Sequence, residues 1–466
     1  MVSAETGLPD DFDPATGKNV KWVASLGSET WATPVIAQGR VFIGTNNNPP
    51  RDPRHKGDRA LLLCLDEKDG SFLWQLVVPK LGPDPYLDWP RAGICSPATV
   101  EGNRVYVVSN RGEAMCLDIE GQRNGNDGPY VNEGRHMAPA DEEPLEVTSI
   151  DADILWLFDI PNQAGTYPHD AAHASILIDG DFLYINTSNG VDNTHRKIRC
   201  PDGPSLIVLD KKTGRLLARD REGIGPRIFH STWSSPALGV VNGRKLIFFC
   251  GGDGVVYAFE PLKSVPPEGK VETLERVWRF DCDPSAPKEN VSEYLRNREQ
   301  SPSNIKSMPV FHNDRLYVTV GGDIWWGKTQ AWLQCIDATK TGDITSSALL
   351  WSCDLKDHCC STPAVQDGLV FVADCGRQIR CIDAGTGQVQ WIHETKGDIW
   401  ASTLLADGKV YVGTRRRDFL VLGASRDKRI ISTIRLDSAT ASTPVAANGV
   451  LYVTTMKKLY ALQRSQ

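Results

Sequence analysis

The chain has no run of about eighteen apolar residues, so it holds no candidate for a membrane-spanning helix. Basic residues are outnumbered, 51 Lys and Arg against 58 Asp and Glu, and the net charge of −7 argues against a nucleic-acid surface. The short basic runs Arg415–Arg417 and Lys457–Lys458 read as solvated turns. Twelve cysteines are present, but no CxxC or CxxCH, which leaves a zinc ribbon and an attached c-type haem unsupported. A GxSxG elbow, a GxGxxG after a strand and a Gly-rich phosphate loop are also missing. The start, Met1–Gly7, carries neither the basic nor the apolar region of a signal peptide. That leaves a cytosolic protein, or an exported one whose leader has been removed.

What is present is a repeat. Cys359–Trp391 contains four short apolar runs punctuated by Asp367-Gly368, Asp374–Gly376 and Gly385–Gly387, the pattern of four strands joined by turns. Its third run, Arg380-Cys381-Ile382-Asp383, has seven counterparts, centred on Cys64, Cys116, Val208, Ala258, Cys335, Val421 and Ala461. The last three copies, at Cys381, Val421 and Ala461, fall 40 residues apart, which is the period of a propeller blade. The second strands agree, from Arg40–Ile43 to Val450–Val453, nearly all after Asp-Gly, Asn-Gly or similar tight turns. Fourth strands usually carry Trp, as at Trp74, Trp156, Trp278, Trp351 and Trp391.

The eighth copy ends without a fourth strand, while Asp13–Trp22 is a turn and fourth strand with nothing before it. The expected fold is therefore all-β, a single eight-bladed β-propeller over residues 1–466. Residues 1–25 supply the strand that completes the last blade and closes the ring. Insertions at about 119–150, 190–204 and 262–304 read as loops, with a helical turn allowed near Val291–Asn297.

The register sorts the chemistry. A position that accepts Cys, Val and Ala alike is a small buried apolar site, so Cys64, Cys116, Cys335 and Cys381 are packing thiols. Asp66, Asp118, Asp210, Asp337 and Asp383 repeat once per blade before Gly-containing turns, which marks them as turn builders. Less regular are the residues just ahead of each first strand, which in a propeller ring one mouth of the channel. They include Trp31, Arg91, His169, His173, His230, Trp233, Lys306, His358 and Trp400. Histidines gathered there suit a metal or an anion. Aromatic and cationic side chains suit a small planar anionic ligand. The adjacent pair Cys359-Cys360 reads either as a strained disulfide or as two thiols at a strand lead-in.

The recurring x-Cys/Ala/Val-Leu-Asp-x-x-Thr-Gly-x-x-x-Trp, clearest at Cys381–Trp391, Cys64–Trp74 and Asp13–Trp22, resembles the repeat of the pyrroloquinoline quinone (PQQ)-like propellers over nearly the whole chain. Gly44–Asn47, Gly252–Gly254 and Ser442–Val445 are similar to phrases of an environmental bacterial group within that family. The resemblance implies an eight-bladed ring and export to the periplasm. It also implies one of two activities, because the family includes quinoprotein alcohol dehydrogenases and an outer-membrane assembly lipoprotein that only scaffolds. The leading expectation is a scaffold binding a protein partner or a small planar ligand at the mouth, with no nucleic acid and no membrane span. The alternative is a PQQ- and calcium-dependent dehydrogenase. In that reading Asn189, in Thr187–Gly190, resembles a calcium ligand, and Cys359-Cys360 resembles the vicinal disulfide over the quinone.

Overall fold

The computed structural model describes residues 1–82, 88–170 and 172–464. Its strands form eight sheets built as four-stranded antiparallel blades, two of them extended at the edge by a short parallel strand. Blade 1 is Val35–Ala37, Arg40–Asn46, Arg59–Asp66 and Phe72–Pro79. Blade 2 is Thr99–Glu101, Arg104–Val108, Glu113–Asp118 and Ile154–Asp159. The first strands of blades 3 to 7 are Leu177–Asp179, Ala237–Val241, Val310–His312, Ala364–Gln366 and Leu404–Ala406. Blade 8 takes Val445–Ala447, Val450–Thr454 and Lys458–Leu462 from the C-terminal end, and Val20–Ser25 as its fourth strand. Val20 lies opposite Leu462 and Ser25 opposite Lys458, so the N-terminal strand closes the ring.

Local sequence explains the hairpins. The first two strands of blades 6, 7 and 8 join through Asp367-Gly368, Asp407-Gly408 and Asn448-Gly449, with φ between 51° and 74° at all six residues. That pairing of positive φ suits the right-handed twist of the flanking strands. In the next turn the repeated Asp accepts backbone N–H groups: Asp383 Oδ1 receives those of Gly385 and Thr386 at 3.0 and 2.9 Å.

The Trp and Gly of the repeat belong to one joint. The indole N–H of Trp22, Trp74, Trp156, Trp351 and Trp391 donates to a carbonyl in the following blade, for example Trp74 to Ile119 at 2.9 Å. The ring rests on a turn glycine of that blade. A Cβ on Gly70, Gly214 or Gly387 would lie 2.5–2.7 Å from Trp22, Trp156 or Trp351. A bulge after the small register residue, at Cys64/Leu65 and Cys381/Ile382 among others, shifts the pairing beside each Trp.

The core is correspondingly divided into interfaces. One cluster joins Phe42, Leu62, Cys64 and Trp74 of blade 1 to Val105, Val107, Met115 and Leu117 of blade 2. The register cysteines Cys64, Cys116, Cys335 and Cys381 all lie buried in such clusters. The insertions hold more regular structure than loops. Glu133–His136 is a short helix, Val291–Tyr294 a 3₁₀ turn, and Glu272–Thr273 adds a parallel strand to blade 3.

At the inner rim, side-chain hydroxyls tie successive blades together. Ser96 Oγ donates to Ala174 O, and Ser175 N–H to Ser235 Oγ. Ser234 Oγ donates to Ser307 O, Met308 N–H to Thr362 Oγ1, and Thr362 N–H to Ser402 Oγ. Ser402 N–H donates to Thr443 Oγ1, and Ser442 Oγ to Ala32 O. This explains the Ser/Thr-rich lead-ins, because each hydroxyl satisfies a backbone group of its neighbour where no sheet hydrogen bond is possible.

Candidate functional site

The lead-ins of all eight blades converge on one cavity of about 900 Å³ on the central axis. Its walls include Trp31 of blade 1, Cys95 of blade 2, His173 of blade 3, His230 and Trp233 of blade 4, and Lys306 of blade 5. Cys360, Trp400 and Thr443 contribute from blades 6, 7 and 8. Of the residues singled out from sequence, Trp31, His173, His230, Trp233, Lys306, Cys360 and Trp400 reach this space. His169 and His358 stand buried immediately behind it.

Arg91, Asn189 and Cys359 do not line it. Arg91 is exposed, with its N–H on Asp58 and its carbonyl bonded by Asn46. Register places the segment but not the direction of its side chain. Asn189 is buried at the base of a turn, where its Oδ1 accepts from Tyr167 N–H and its Nδ2 donates to Cys200 O. Cys359 turns into the core beside Leu333 and Val370, with its thiol on the carbonyls of Ala373 and Ser361.

Indoles form an arc around the cavity. Ring centroids run Trp31 to Trp400 at 5.8 Å, Trp400 to Trp325 at 5.8 Å and Trp325 to Trp233 at 6.1 Å. The Arg415 guanidinium lies over Trp31 and Trp400, and the Lys306 ammonium stands 5.5 Å from the Trp233 ring. Trp325 and Trp326 have no counterpart in the register. They sit on an excursion after Gly321-Gly322, and two adjacent tryptophans outside any strand were the signal available in the sequence.

Asp323 organises this wall. Its Oδ1 accepts the N–H groups of Trp325 and Trp326 at 3.0 and 3.1 Å. Its Oδ2 accepts from His230 Nδ1 and from Lys306 Nζ, both at 2.9 Å. Full burial works against its charge, but Lys306 and His230 hold the carboxyl well below the usual carboxylate range.

Three imidazoles meet beside Asp323. Ligand atoms of His169, His195 and His230 lie within 4.8 Å of one another. Burial, with the neighbouring imidazoles, pushes His169 well below the ordinary histidine value, and burial lowers His195 to about 4. Burial raises Asp170, which faces the group, to about 6. The insertion at 190–204 delivers His195. Its strand passes over the His169 and His230 segments through Gly190 N–H to Tyr167 O and Val191 N–H to His230 O. A Cβ at Gly190 would lie 2.7 Å from the His169 Cβ, so only glycine lets the strands pass this closely. His195 was hidden because it belongs to no repeat.

A second group, His358, Cys360 and Cys375, also has ligand atoms within 4.8 Å. Cys359 and Cys360 are both free thiols facing different ways. A hydrogen bond from the Cys375 thiol, together with His358 and Lys306, holds Cys360 well below the ordinary thiol range against its burial. The same contact and burial push Cys375 up. A third group, Asp52, His55 and Asp151, encloses the Arg54 guanidinium, which pairs with both carboxylates.

A family model described as outer membrane protein assembly factor BamB matches residues 10–260 and 268–403. The chain belongs to this PQQ-like propeller family. A search of curated proteins finds no match. Among solved structures, BamB from Moraxella catarrhalis is similar at 13% identity and a TM-score of 0.56, covering 94% of this chain and 98% of its own. The computationally designed Ika8 protein is similar at 10% identity and a TM-score of 0.56, covering 95% and 99%. At such identities the likeness shows the propeller fold alone.

The residues present do not fit the calcium-dependent quinone centre that the quinoprotein members imply. Calcium takes six to eight oxygens. Among the described residues, Asn189 is spent on backbone groups, Asp323 is spent on Lys306 and His230, and the donors gathered beside the cavity are chiefly imidazole nitrogens and thiols.

Proposed function

We propose that the protein is a binding propeller whose working surface is the axial mouth, and that the mouth takes a small planar anion. The single observation that carries this reading is the cavity of about 900 Å³ walled by Trp31, Trp233, Trp325 and Trp400, with Lys306 set among the indoles. Indole faces stack on a flat ring system, and a cation in a water-poor pocket selects for negative charge. Location in the periplasm is part of the same proposal, supported by the outer-membrane description of the family. Among the described residues no helix is long and apolar enough to cross a membrane.

The test uses the tryptophans as reporters. PQQ, a planar polycarboxylate, is titrated into the protein with and without calcium, and indole fluorescence is followed beside dye-coupled alcohol oxidation. Saturable quenching that ignores calcium and brings no turnover is expected. No quenching at high micromolar PQQ or another planar polycarboxylate would overturn the proposal, and calcium-dependent turnover would establish the dehydrogenase instead.

A further inference from the structure

We infer that His169, His195 and His230 form a site for one borderline first-row divalent metal ion of the Zn²⁺ class, with Asp170 beside it and one coordination position open to the mouth. Four observations converge on it. The three ligand atoms already lie within 4.8 Å of one another. An ion bound at about 2.0–2.1 Å to each would draw them to roughly 3.3 Å apart, a matter of small side-chain rotations.

The second observation is the state in which two rings are held. His169 Nδ1 stands 2.8 Å from the Val191 carbonyl, which can only accept. His230 Nδ1 stands 2.9 Å from the Asp323 carboxylate. Both rings therefore hold a proton on Nδ1, which leaves Nε2 as the atom each can offer to an ion. A carbonyl or carboxylate behind the ring is the arrangement that orients metal-binding histidines.

Third, the His230 Nε2 is buried and makes no hydrogen bond, and the nearest carboxylate oxygen, Asp170 Oδ2, is 3.7 Å away. Asp170 Oδ1 is 3.6 Å from His169 Nε2. An imidazole lone pair and a carboxylate are both electron donors, so a cation between them satisfies both. Asp170 takes up this position at φ 64°, in the left-handed region that favours glycine. Fourth, the donors come from three separate stretches, the lead-ins of blades 3 and 4 and the 190–204 insertion, and the close passage at Gly190 brings them together.

The chemistry of the donors selects the metal. Three imidazoles and a carboxylate favour Zn²⁺, Co²⁺, Ni²⁺ or Cu²⁺ over Ca²⁺ and Mg²⁺, which prefer oxygen alone. His195, His230 and Asp170 border the cavity, so the ion would face it. Three protein nitrogens leave room for an outside ligand. An anionic oxygen of the molecule held between the indoles would take that place. This last role rests on the mouth being a binding site, whereas the metal site itself does not.

The experiment is a titration of chelator-treated full-length protein with Co²⁺ and Zn²⁺, read by visible absorption and by metal content after gel filtration. One ion per chain is expected, with a Co²⁺ spectrum free of thiolate charge-transfer bands. His195→Ala, on an insertion outside the blade framework, should weaken binding at least 100-fold while circular dichroism stays unchanged. Asp323→Asn, which reaches the ion through His230 and also loosens Lys306, should weaken it about 10- to 100-fold. Failure of folded protein to bind either ion would overturn the inference. So would unchanged binding in His195→Ala, or a thiolate band that places the ion at Cys360 and Cys375. The PQQ titration is repeated on metal-free protein, so loss of the metal site and loss of the aromatic site give separate readouts.

Discussion

Thr362 and Cys360 stand two residues apart on the same lead-in and both border the cavity, but they do different work there. Thr362 accepts the Met308 N–H from blade 5 and gives its own N–H to Ser402 of blade 7. Ser402 and Thr443 repeat the arrangement further round the ring. Cys360 instead shares its surroundings with His358, Cys375 and Lys306, a combination found at no other lead-in among the described residues. The same contrast separates Ser234 and Ser235 from Trp233 and His230. The repeated hydroxyls link neighbouring blades along the wall of the mouth, and the unrepeated side chains beside them give that wall its chemistry. A propeller can thus vary its chemistry along a few residues per blade without disturbing the joints beside them.

Asp323 should break this division most visibly. It is a mouth residue, but its fully buried carboxylate pairs with the Lys306 ammonium and accepts from His230 Nδ1. Asp323→Ala should therefore cost about 3–5 kcal/mol in urea unfolding, the effect of stranding buried charge. A loss under about 1 kcal/mol would show the cluster to be energetically separate from the frame.

Acid should act on the frame through Glu113 of blade 2. This side chain accepts from Ser109 and Arg111 and pairs with His136 of the 119–150 insertion. Burial opposes its charge, but His136 and Arg111 lower it to about 2. A carboxyl whose value is lower in the folded state stabilises above its unfolded value, near 4.3, and that support fades as pH falls toward 2. The contribution at neutral pH is roughly 3 kcal/mol. Glu113→Gln should be less stable than the parent at pH 7, and the difference should close by about pH 2 to 3. A difference independent of pH would mean that the charge is not what ties down the insertion.

Smaller effects sharpen the contrast. Thr362→Val keeps the shape but takes the acceptor from the half-buried Met308 N–H, for a loss of about 1 kcal/mol. Its PQQ quenching should change far less than that of Trp400→Ala, because Thr362 borders the cavity but offers no ring to stack on. Trp400→Ala should do the reverse. Trp400 is only half-buried at the rim, so stability should fall by about 1 kcal/mol or less, while affinity for the planar anion drops about tenfold or more. If both variants moved stability and affinity together, frame and mouth would be one unit.

The sequence made the frame readable because its parts recur. A Cys, Val or Ala followed by Leu-Asp, a turn glycine and a Trp marks each blade-to-blade joint, and a joint repeated around a ring leaves the same trace many times. The mouth was readable only where it coincided with that register. Trp31, His173, His230, Trp233, Cys360 and Trp400 reach the cavity because a lead-in is bound to run past it. His195, Trp325, Trp326 and Asp323 come from excursions whose length no period sets. Their meeting depends on crossings such as Gly190 over His169, which leave no pattern along the chain. Arg91 and Asn189 show the opposite limit. Both lie near cavity-facing segments, but local hydrogen bonds decide where they point.

The hydroxyl bonds of the inner rim have one more consequence. Each spans neighbouring blades at 2.5–3.2 Å with side chains of only one or two rotatable bonds. Such links tolerate little change in the angle between blades, and Val20–Ser25 removes the free edge at which slack could collect. The bore of the funnel is therefore a fixed gauge, set by the number of blades and the thickness of their joints. A molecule entering the mouth would meet that gauge before it met any tryptophan or histidine.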